Sequence, residues 1–426
     1  MENLVRLYYD WEIRLLVLLC FAIQLFLFFT GGLRRHNIKL HVRLSIWLAY
    51  LGADMVAVYA LGYLSRNVDA HPLAFFWAPF LLVHLGGQDT ITAFAMEDNS
   101  LWHRHLLNLG VQVFLAAYVF WKSIGRHNVG LLVSGTFVFI VGVIKYGERI
   151  WSLRCGKFGS LEESTGDQYQ LPFPWLVEIF EKLSGPMERE FTMEREFTYY
   201  DTVCLGVCSM PIVFSIFVSR MGDVRFRTFI YRFPCMKQNL KLLEIGLGIM
   251  YDDLYTKALV LRKRGGVILR CMTHLCSWIA FTVFFLACDR GWYSRVDIAI
   301  TYLLFVGGLF LEVCGLISLM ASPWTLAWLK ARRHEKLAWL SLSLFSSGLI
   351  GRWSEKRPLW SNAMGQYNLY GWIADDSEQH KPRSFSQQCM TMVIRMATLF
   401  GVEKEELFWI SKLLDREHIK VDREYT

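Results

Sequence analysis

An all-α, polytopic membrane helical bundle of about seven spans is the fold class that this 426-residue chain predicts, and three features carry it. Apolar runs of crossing length recur along the chain, where ~20 mainly apolar residues suffice for a helix to traverse the hydrocarbon. Hydrophobic residues make up 54% and include 16 Trp and 18 Tyr, a surplus that suits helices ending at two headgroup interfaces. The net charge of +7 sits in short basic clusters beside those runs, where Lys and Arg act as topology signals and lipid contacts. The lipid bilayer is therefore the expected partner, and nucleic acid is not.

The spans are expected at residues 13–29, 44–64, 73–96, 105–124, 129–151, 266–288 and 296–320. The first follows a mixed-charge segment (Glu2, Arg6, Asp10, Glu12, Arg14) and reads as a retained helix, since a cleaved leader would want a cationic start. Cytoplasmic loops accumulate positive charge. Arg34, Arg35, Lys39 and Arg43 after the first span, Lys145, Arg149, Arg154 and Lys157 around the end of the fifth, and Lys330, Arg332, Arg333 and Lys336 after the last all fall inside if the N-terminus is outside. Arg262, Lys263 and Arg264 before the sixth span also want the inside, so an even number of crossings must separate Trp151 from Gly266. The short, Pro211-containing run 202–218 is accordingly expected to be re-entrant or interfacial.

This organises the chain as a five-span bundle over 1–151, a cytoplasmic helical insert over 152–265, two further spans over 266–322 and a cytoplasmic amphipathic tail over 323–426. In the insert, residues 174–183 place Trp175, Leu176, Ile179 and Phe180 on one helical face, and the hexapeptide MEREFT occurs twice in tandem from Met187 to Thr198. Two copies are too few for a solenoid and read as local duplication. Arg225, Arg227 and Arg232, interleaved with aromatic residues in RFRTFIYRF, suit anionic lipid headgroups. In YDDLYTKA, Asp253 and Lys257 form an i,i+4 pair on what reads as a solvated helix face. The tail carries amphipathic stretches at 388–400 and 403–414. The ten cysteines include no CxxC pair and read as small buried hydrophobes without a disulfide framework.

The most informative segment is FFWAPFLLVHLGGQDTITAFAMEDNSLWHRHLL, from Phe75 to Leu107, an apolar run interrupted by Gly86, Gly87, Gln88 and Asp89. A bilayer core offers no water to freed backbone groups, so such a break survives only where protein buries it or where it lines a wet cavity. Asp54, mid-span in LSIWLAYLGADMVAVYALGYL, costs about 2.5 to 3.5 kcal/mol on insertion scales and needs compensation. Asp54, His84, Gln88, Asp89 and Thr90 form the candidate intramembrane polar site, either holding a cation or proton between Asp54 and Asp89 or fixing helix packing as a hydrogen-bonded knot. Glu97, Asp98 and Asn99 suit a helix terminus better than a cation site, and His103 with His105 is a weak ligand pair. Glu148 and Arg149 read as interfacial ion-pairing residues. No catalytic residue, cofactor or metal site is assigned.

Four blocks, WAPFLLVHLGGQDTITAFAMEDNSLWHRHLL, KYGERIW, MYDDLYTKA and MGQYNLYGW, give the chain a resemblance to the plant membrane proteins defined by domain of unknown function 4220 (DUF4220), extending to about Trp372. The resemblance implies no activity. It does imply that many related chains continue into a C-terminal domain of unknown function 594, which this chain is expected to lack, as a shortened paralogue, truncated gene product or fragment would. No Walker A loop, HExxH, GxSxG or dinucleotide fingerprint occurs, which lowers the expectation of an enzyme. The expected role is a membrane scaffold or signalling component whose insert and tail bind cytoplasmic partners. The alternative is a transporter or channel using the broken span and intramembrane carboxylates.

Overall fold

The computed structural model describes residues 2–36, 39–66, 73–123, 128–157, 199–208, 210, 213, 217, 236–288, 293–332, 334–346, 363–366 and 417–420. The region around the tandem MEREFT, residues 174–183, Arg225, Arg227, Arg232 and both amphipathic stretches of the tail lie outside them. The chain divides into two units, Met1–Leu359 and Trp360–Thr426.

The first unit is a helical bundle. Its long members are α1 (Glu2–Thr30), α2 (Leu40–Arg66), α3 (Ala74–Leu85), α5 (Trp102–Ser123) and α6 (Val129–Cys155), with the one-turn α4 (Met96–Ser100) after the break in the third apolar run. Then come α7 (Tyr199–Cys208), α8 (Met236–Tyr255), α9 (Ala258–Leu261), α10 (Arg264–Ala287), α11 (Arg295–Met320), α12 (Pro323–Ala331) and α13 (Glu335–Ser346). Five segments, Trp11–Arg35, His41–Arg66, Val129–Cys155, Arg264–Ala287 and Arg295–Met320, are long and apolar enough to cross a membrane. Helix α3 has 12 residues, roughly 18 Å at 1.5 Å per residue, and cannot cross a ~30 Å hydrocarbon core as a helix.

Side-chain pairs fix the direction of each helix. Arg14 meets Asp297 at 2.7 Å, and the rings of Phe29 and Phe310 lie 6.5 Å apart, so α1 and α11 run parallel. Trp77 donates to Thr301 Oγ1 at 3.0 Å and Phe80 packs edge-on to Phe305 at 4.9 Å, placing α3 parallel to α11. Phe76, Leu82 and Gly86 meet Gly135, Gly142 and Lys145 in turn, so α6 runs with α3. The other three oppose them. Tyr59 of α2 reaches Glu12 of α1 while Ile46 and Tyr50 share a buried cluster with Leu27, Trp102 of α5 lies under Arg154 of α6 while Phe120 abuts Gly135, and Ser134 of α6 donates to the Ala280 carbonyl of α10 at 2.6 Å while Lys263 reaches Cys155 at 3.5 Å. The seven helices α1, α2, α3, α5, α6, α10 and α11 thus alternate in direction along the chain. Cys155 and Lys263 meet at one end of the bundle, so the intervening chain leaves and returns there.

Two facts about the surface and core follow. Large apolar side chains are exposed on α1 (Leu15, Leu19, Phe29), α2 (Leu48, Met55), α5 (Leu107, Phe114, Trp121), α10 (Ile268, Leu275, Leu286) and α11 (Leu303, Val306). A continuous apolar exterior of that kind is the expected surface of a helical bundle in lipid, whereas a water-soluble protein rarely exposes such patches. Inside, an aromatic knot joins α3, α10 and α11, with Phe76 against Phe284 at 5.2 Å and Phe284 against Tyr302 at 5.3 Å. At the Cys155 end a smaller core of Val203, Cys204, Val207, Ile245, Ile249 and Leu326 packs α7 on α8 and α12.

In the second unit the described residues form an antiparallel pair, β1 (Ala363–Gln366) with β2 (Glu417–Lys420), in the register Ala363 to Lys420. This strand pairing within the amphipathic tail joins segments whose separation along the chain local periodicity does not encode.

Candidate functional site

The break after α3 is built by two glycines with different tasks. A Cβ on Gly86 would lie 2.7 Å from Lys145 Cβ and 2.9 Å from its carbonyl carbon, so only glycine lets α3 end against α6. Gly87 has φ +65°, the left-handed conformation that glycine adopts without a Cβ penalty. The chain then turns through a Gln88–Ile91 bridge into α4.

Ending a helix inside the bundle exposes carbonyl oxygens, and buried cations and amides of other helices satisfy them. Gln24 Nε2 donates to the His84 carbonyl at 3.1 Å and Arg149 Nη1 to the Leu85 carbonyl at 2.9 Å. Lys257 Nζ lies 3.4 Å from both the Gly87 and Lys145 carbonyls, while its own backbone N–H reaches the Asp89 carbonyl at 3.3 Å. Thr92 N–H donates to the Tyr255 carbonyl at 2.8 Å, tying the loop to the end of α8. The negative end of the α3 dipole thus points into positive charge.

Around this joint stand two charge-balanced groups. In the first, Asp54 of α2 takes a two-point contact from Arg149 of α6, at 2.6 and 2.9 Å. In the second, three carboxylates (Asp89, Glu148, Glu312) face three cations (Lys145, Lys257, Arg270). Arg270 Nη2 lies 2.7 Å from Asp89 and 3.8 Å from Glu148, and its Nη1 lies 3.0 Å from Glu312. Lys257 sits 3.8 Å from Asp89 and 3.9 Å from Glu148, and Lys145 pairs with Glu312. His274 approaches Glu312 at 3.5 Å. Lys257 is fully buried, and that burial lowers its amine to about 8 against the opposing pull of Asp89 and Glu148.

The sequence-derived candidates separate within this frame. Asp54 and Asp89 are each held by a different arginine and do not share a site. Gln88 Nε2 bonds Gln24 Oε1 at 3.0 Å, and Thr90 bonds the Leu27 carbonyl at 3.2 Å, so both brace the loop against α1. His84 is buried, stacks near Phe21 at 6.0 Å and leaves Nδ1 without a hydrogen-bond partner. Asp98 accepts from the backbone N–H groups of Phe94 and Ala95 at 2.8 and 3.0 Å, which is helix capping. Asn99, wholly buried, clasps the Gly156 and Leu254 carbonyls. His103 stacks on Trp102 at 3.6 Å and His105 is buried. Among the described residues no cluster of three or more His, Cys, Asp or Glu is placed to hold a metal.

Three expectations are corrected. Glu148 and Arg149 are not interfacial, since their exposures are 1% and 3%. Asp253 and Lys257 do not pair: Asp253 turns to Arg262, and Lys257 turns inward to Asp89. The YDDLYTKA block is therefore buried at Asp253, Thr256 and Lys257 rather than solvated. Sequence reasoning missed Lys145, Lys257, Arg270 and Glu312 as members of the site. For Arg270 and Glu312 the signal existed, since each is a lone charge inside an apolar run, the criterion that singled out Asp54.

Two small cavities flank the network. The first, about 50 Å³, is lined by Phe21, His84, Gln88, Lys145, Phe305 and Glu312 among others. The second, about 80 Å³, is lined by Phe28, Asp89, Thr90, Asp252, Thr256 and Ser318 among others.

A helical membrane bundle with a broken apolar segment, braced by a largely buried network of three carboxyl groups and three basic side chains, is the class of protein that these features define. The chain belongs to the family of domain of unknown function DUF4220, whose model matches residues 47–372. That span holds the break and every charge of the network. No curated protein and no solved structure matches the chain.

Proposed function

We propose that this DUF4220 protein is a transporter or channel for a small ion, working through the joint between α3 and α4. The observation that carries this reading is Asp89: a carboxylate in a non-helical break of an apolar segment, reached by Arg270 and Lys257, with a cavity on either side of the network. Broken helices with ionisable groups at their exposed ends are how many transporters build substrate sites. Four of the six charges, Glu148, Lys257, Arg270 and Glu312, are buried, a costly way to hold helices together, since desolvation offsets most of their mutual attraction and apolar packing of equal volume does as well or better. The alternation of the seven helices supports the reading of seven crossings with the N-terminus outside, in which α3 crosses only together with the non-helical break, and the basic clusters support a cytoplasmic Cys155 end.

A membrane scaffold is the second reading. It is supported by the balance of three carboxylates against three cations, which suits a permanently closed joint, and it assigns partner binding to residues 152–265 and the tail, with Arg225, Arg227 and Arg232 on anionic lipid.

Purified protein in vesicles, tested under imposed proton, sodium, potassium and chloride gradients, separates the two. Flux above protein-free vesicles, altered in Asp89→Asn, supports transport. No flux under any of these gradients, or flux unchanged in Asp89→Asn, counts against it.

A further inference from the structure

The two cavities share no lining residue, yet one carboxylate from each is held by the same guanidinium. Glu312 lines the first and accepts from Arg270 Nη1 at 3.0 Å. Asp89 lines the second and accepts from Arg270 Nη2 at 2.7 Å. The cavities are also ordered along the bundle. On α11 the first is lined by residues from Leu304 to Glu312 and the second by Gly315, Ser318 and Leu319. On the parallel α1 the first takes Phe21 and the second Phe28, seven residues on and roughly 10 Å further along the axis. They are successive compartments on one line.

From this juxtaposition we infer that Arg270 is the plug between two halves of one aqueous path, held shut by its simultaneous bonds to Asp89 and Glu312. The inference rests on the transport reading and names its gate. The first compartment has a polar wall where His84, Gln88, Lys145 and Glu312 converge, and the buried Nδ1 of His84 has no hydrogen-bond partner in the protein. A cavity of about 50 Å³ with several polar partners has room for a water. The second compartment is bounded by Asp89, Thr90, Asp252, Thr256 and Ser318 at the Cys155 end. A lysine in place of Arg270 keeps the charge but cannot span both carboxylates, because its ammonium is a point donor where the guanidinium is a planar fork. Loss of negative charge at either carboxylate likewise frees one arm.

The test places single cysteines at Leu309 in the first compartment and Ser318 in the second, and follows their modification by a charged, membrane-impermeant methanethiosulfonate from each side of sealed vesicles. The chain without the added cysteine supplies the background from native thiols. Ser318→Cys is expected to react from the Cys155 side alone and Leu309→Cys to be unreactive from that side. In Arg270→Lys, Leu309→Cys gains reactivity from the Cys155 side by about tenfold, the effect of losing one charge-assisted hydrogen bond from the closed state. Asp89→Asn and Glu312→Gln, each removing one arm, are expected to do the same and stand in if Arg270→Lys does not fold. Reaction of both cysteines from both sides of the otherwise unaltered chain, or rates unchanged in all three variants, overturns the plug. Gated labelling with no ion flux retires the transport reading and leaves the plug standing.

Discussion

Asp54 and Arg149, 95 residues apart in the chain, form a two-point ion pair with contacts of 2.6 and 2.9 Å, in which Arg149 is almost wholly buried. The same guanidinium bonds the Leu85 carbonyl at the end of α3 and lies 5.8 Å from the Tyr50 ring. One residue of α6 therefore compensates the carboxylate of α2 and caps the broken helix.

Removing either partner strands the other. Arg149→Met is expected to destabilise the bundle by about 3 to 5 kcal/mol, as for other broken buried pairs. Asp54→Asn costs less, because the asparagine carbonyl still accepts from Arg149, whose guanidinium also keeps its bond to the Leu85 carbonyl. The double variant should fall short of the sum of the two singles by about 1 to 3 kcal/mol. Equilibrium unfolding in mild detergent measures all three, and strict additivity would mean that the pair contributes nothing specific.

The two glycines of the break should respond differently from a glycine with open space around it. Gly86→Ala forces its Cβ onto Lys145 and is expected to cost about 1 to 3 kcal/mol. Gly87→Ala, at φ +65°, costs about 1 to 2 kcal/mol through backbone strain. Gly110→Ala in α5 meets nothing within 4 Å and should be neutral or stabilising by up to about 1 kcal/mol. Melting temperatures of the three variants check the order, and Gly86→Ala ranking with Gly110→Ala would contradict the close approach of α3 to α6.

Stability should depend on pH with opposite sign at two neighbouring groups of the α8–α9 turn. Burial lowers Lys257 from 10.5 to about 8, so between those values the unfolded chain binds more protons and stability rises with pH, the gain being lost as pH falls through 8. Asp89, Glu148, Arg270 and Lys145 face its amine. Burial raises Asp253 from 3.8 to about 6 despite the Arg262 guanidinium, so in that window the folded chain binds more protons and stability falls as pH rises. Lys257→Met should flatten the alkaline slope and Asp253→Asn the acid one. Unfolding free energies across both windows test this, and slopes unchanged by the substitutions would reject the assignment.

Much of the fold was legible because membrane-crossing segments declare themselves locally. The apolar runs near residues 44–64, 129–151, 266–288 and 296–320 correspond to α2, α6, α10 and α11 with ends shifted by a few residues, and the run 13–29 falls within α1, which begins earlier, at Glu2. The break at Gly86 and Gly87 was equally plain, because glycine pairs interrupt a helical run whatever surrounds them. The strand pair of Ala363–Gln366 with Glu417–Lys420 was not legible, since its hydrogen bonds join residues without a common periodicity.

By itself, then, the sequence determined a helical membrane class, the five long spans among the seven it predicts, the position of the broken segment and the cost of Asp54, because length, hydropathy and burial cost act on each segment alone. Tertiary structure alone decided the pairing: Asp54 with Arg149, Asp89 and Glu312 with Arg270, and Lys257 turned inward from a block that reads as a solvated face. The physical reason is that an ion pair depends on distance and shared desolvation. Helices separated by tens to hundreds of residues supply both only once their packing has set which faces meet.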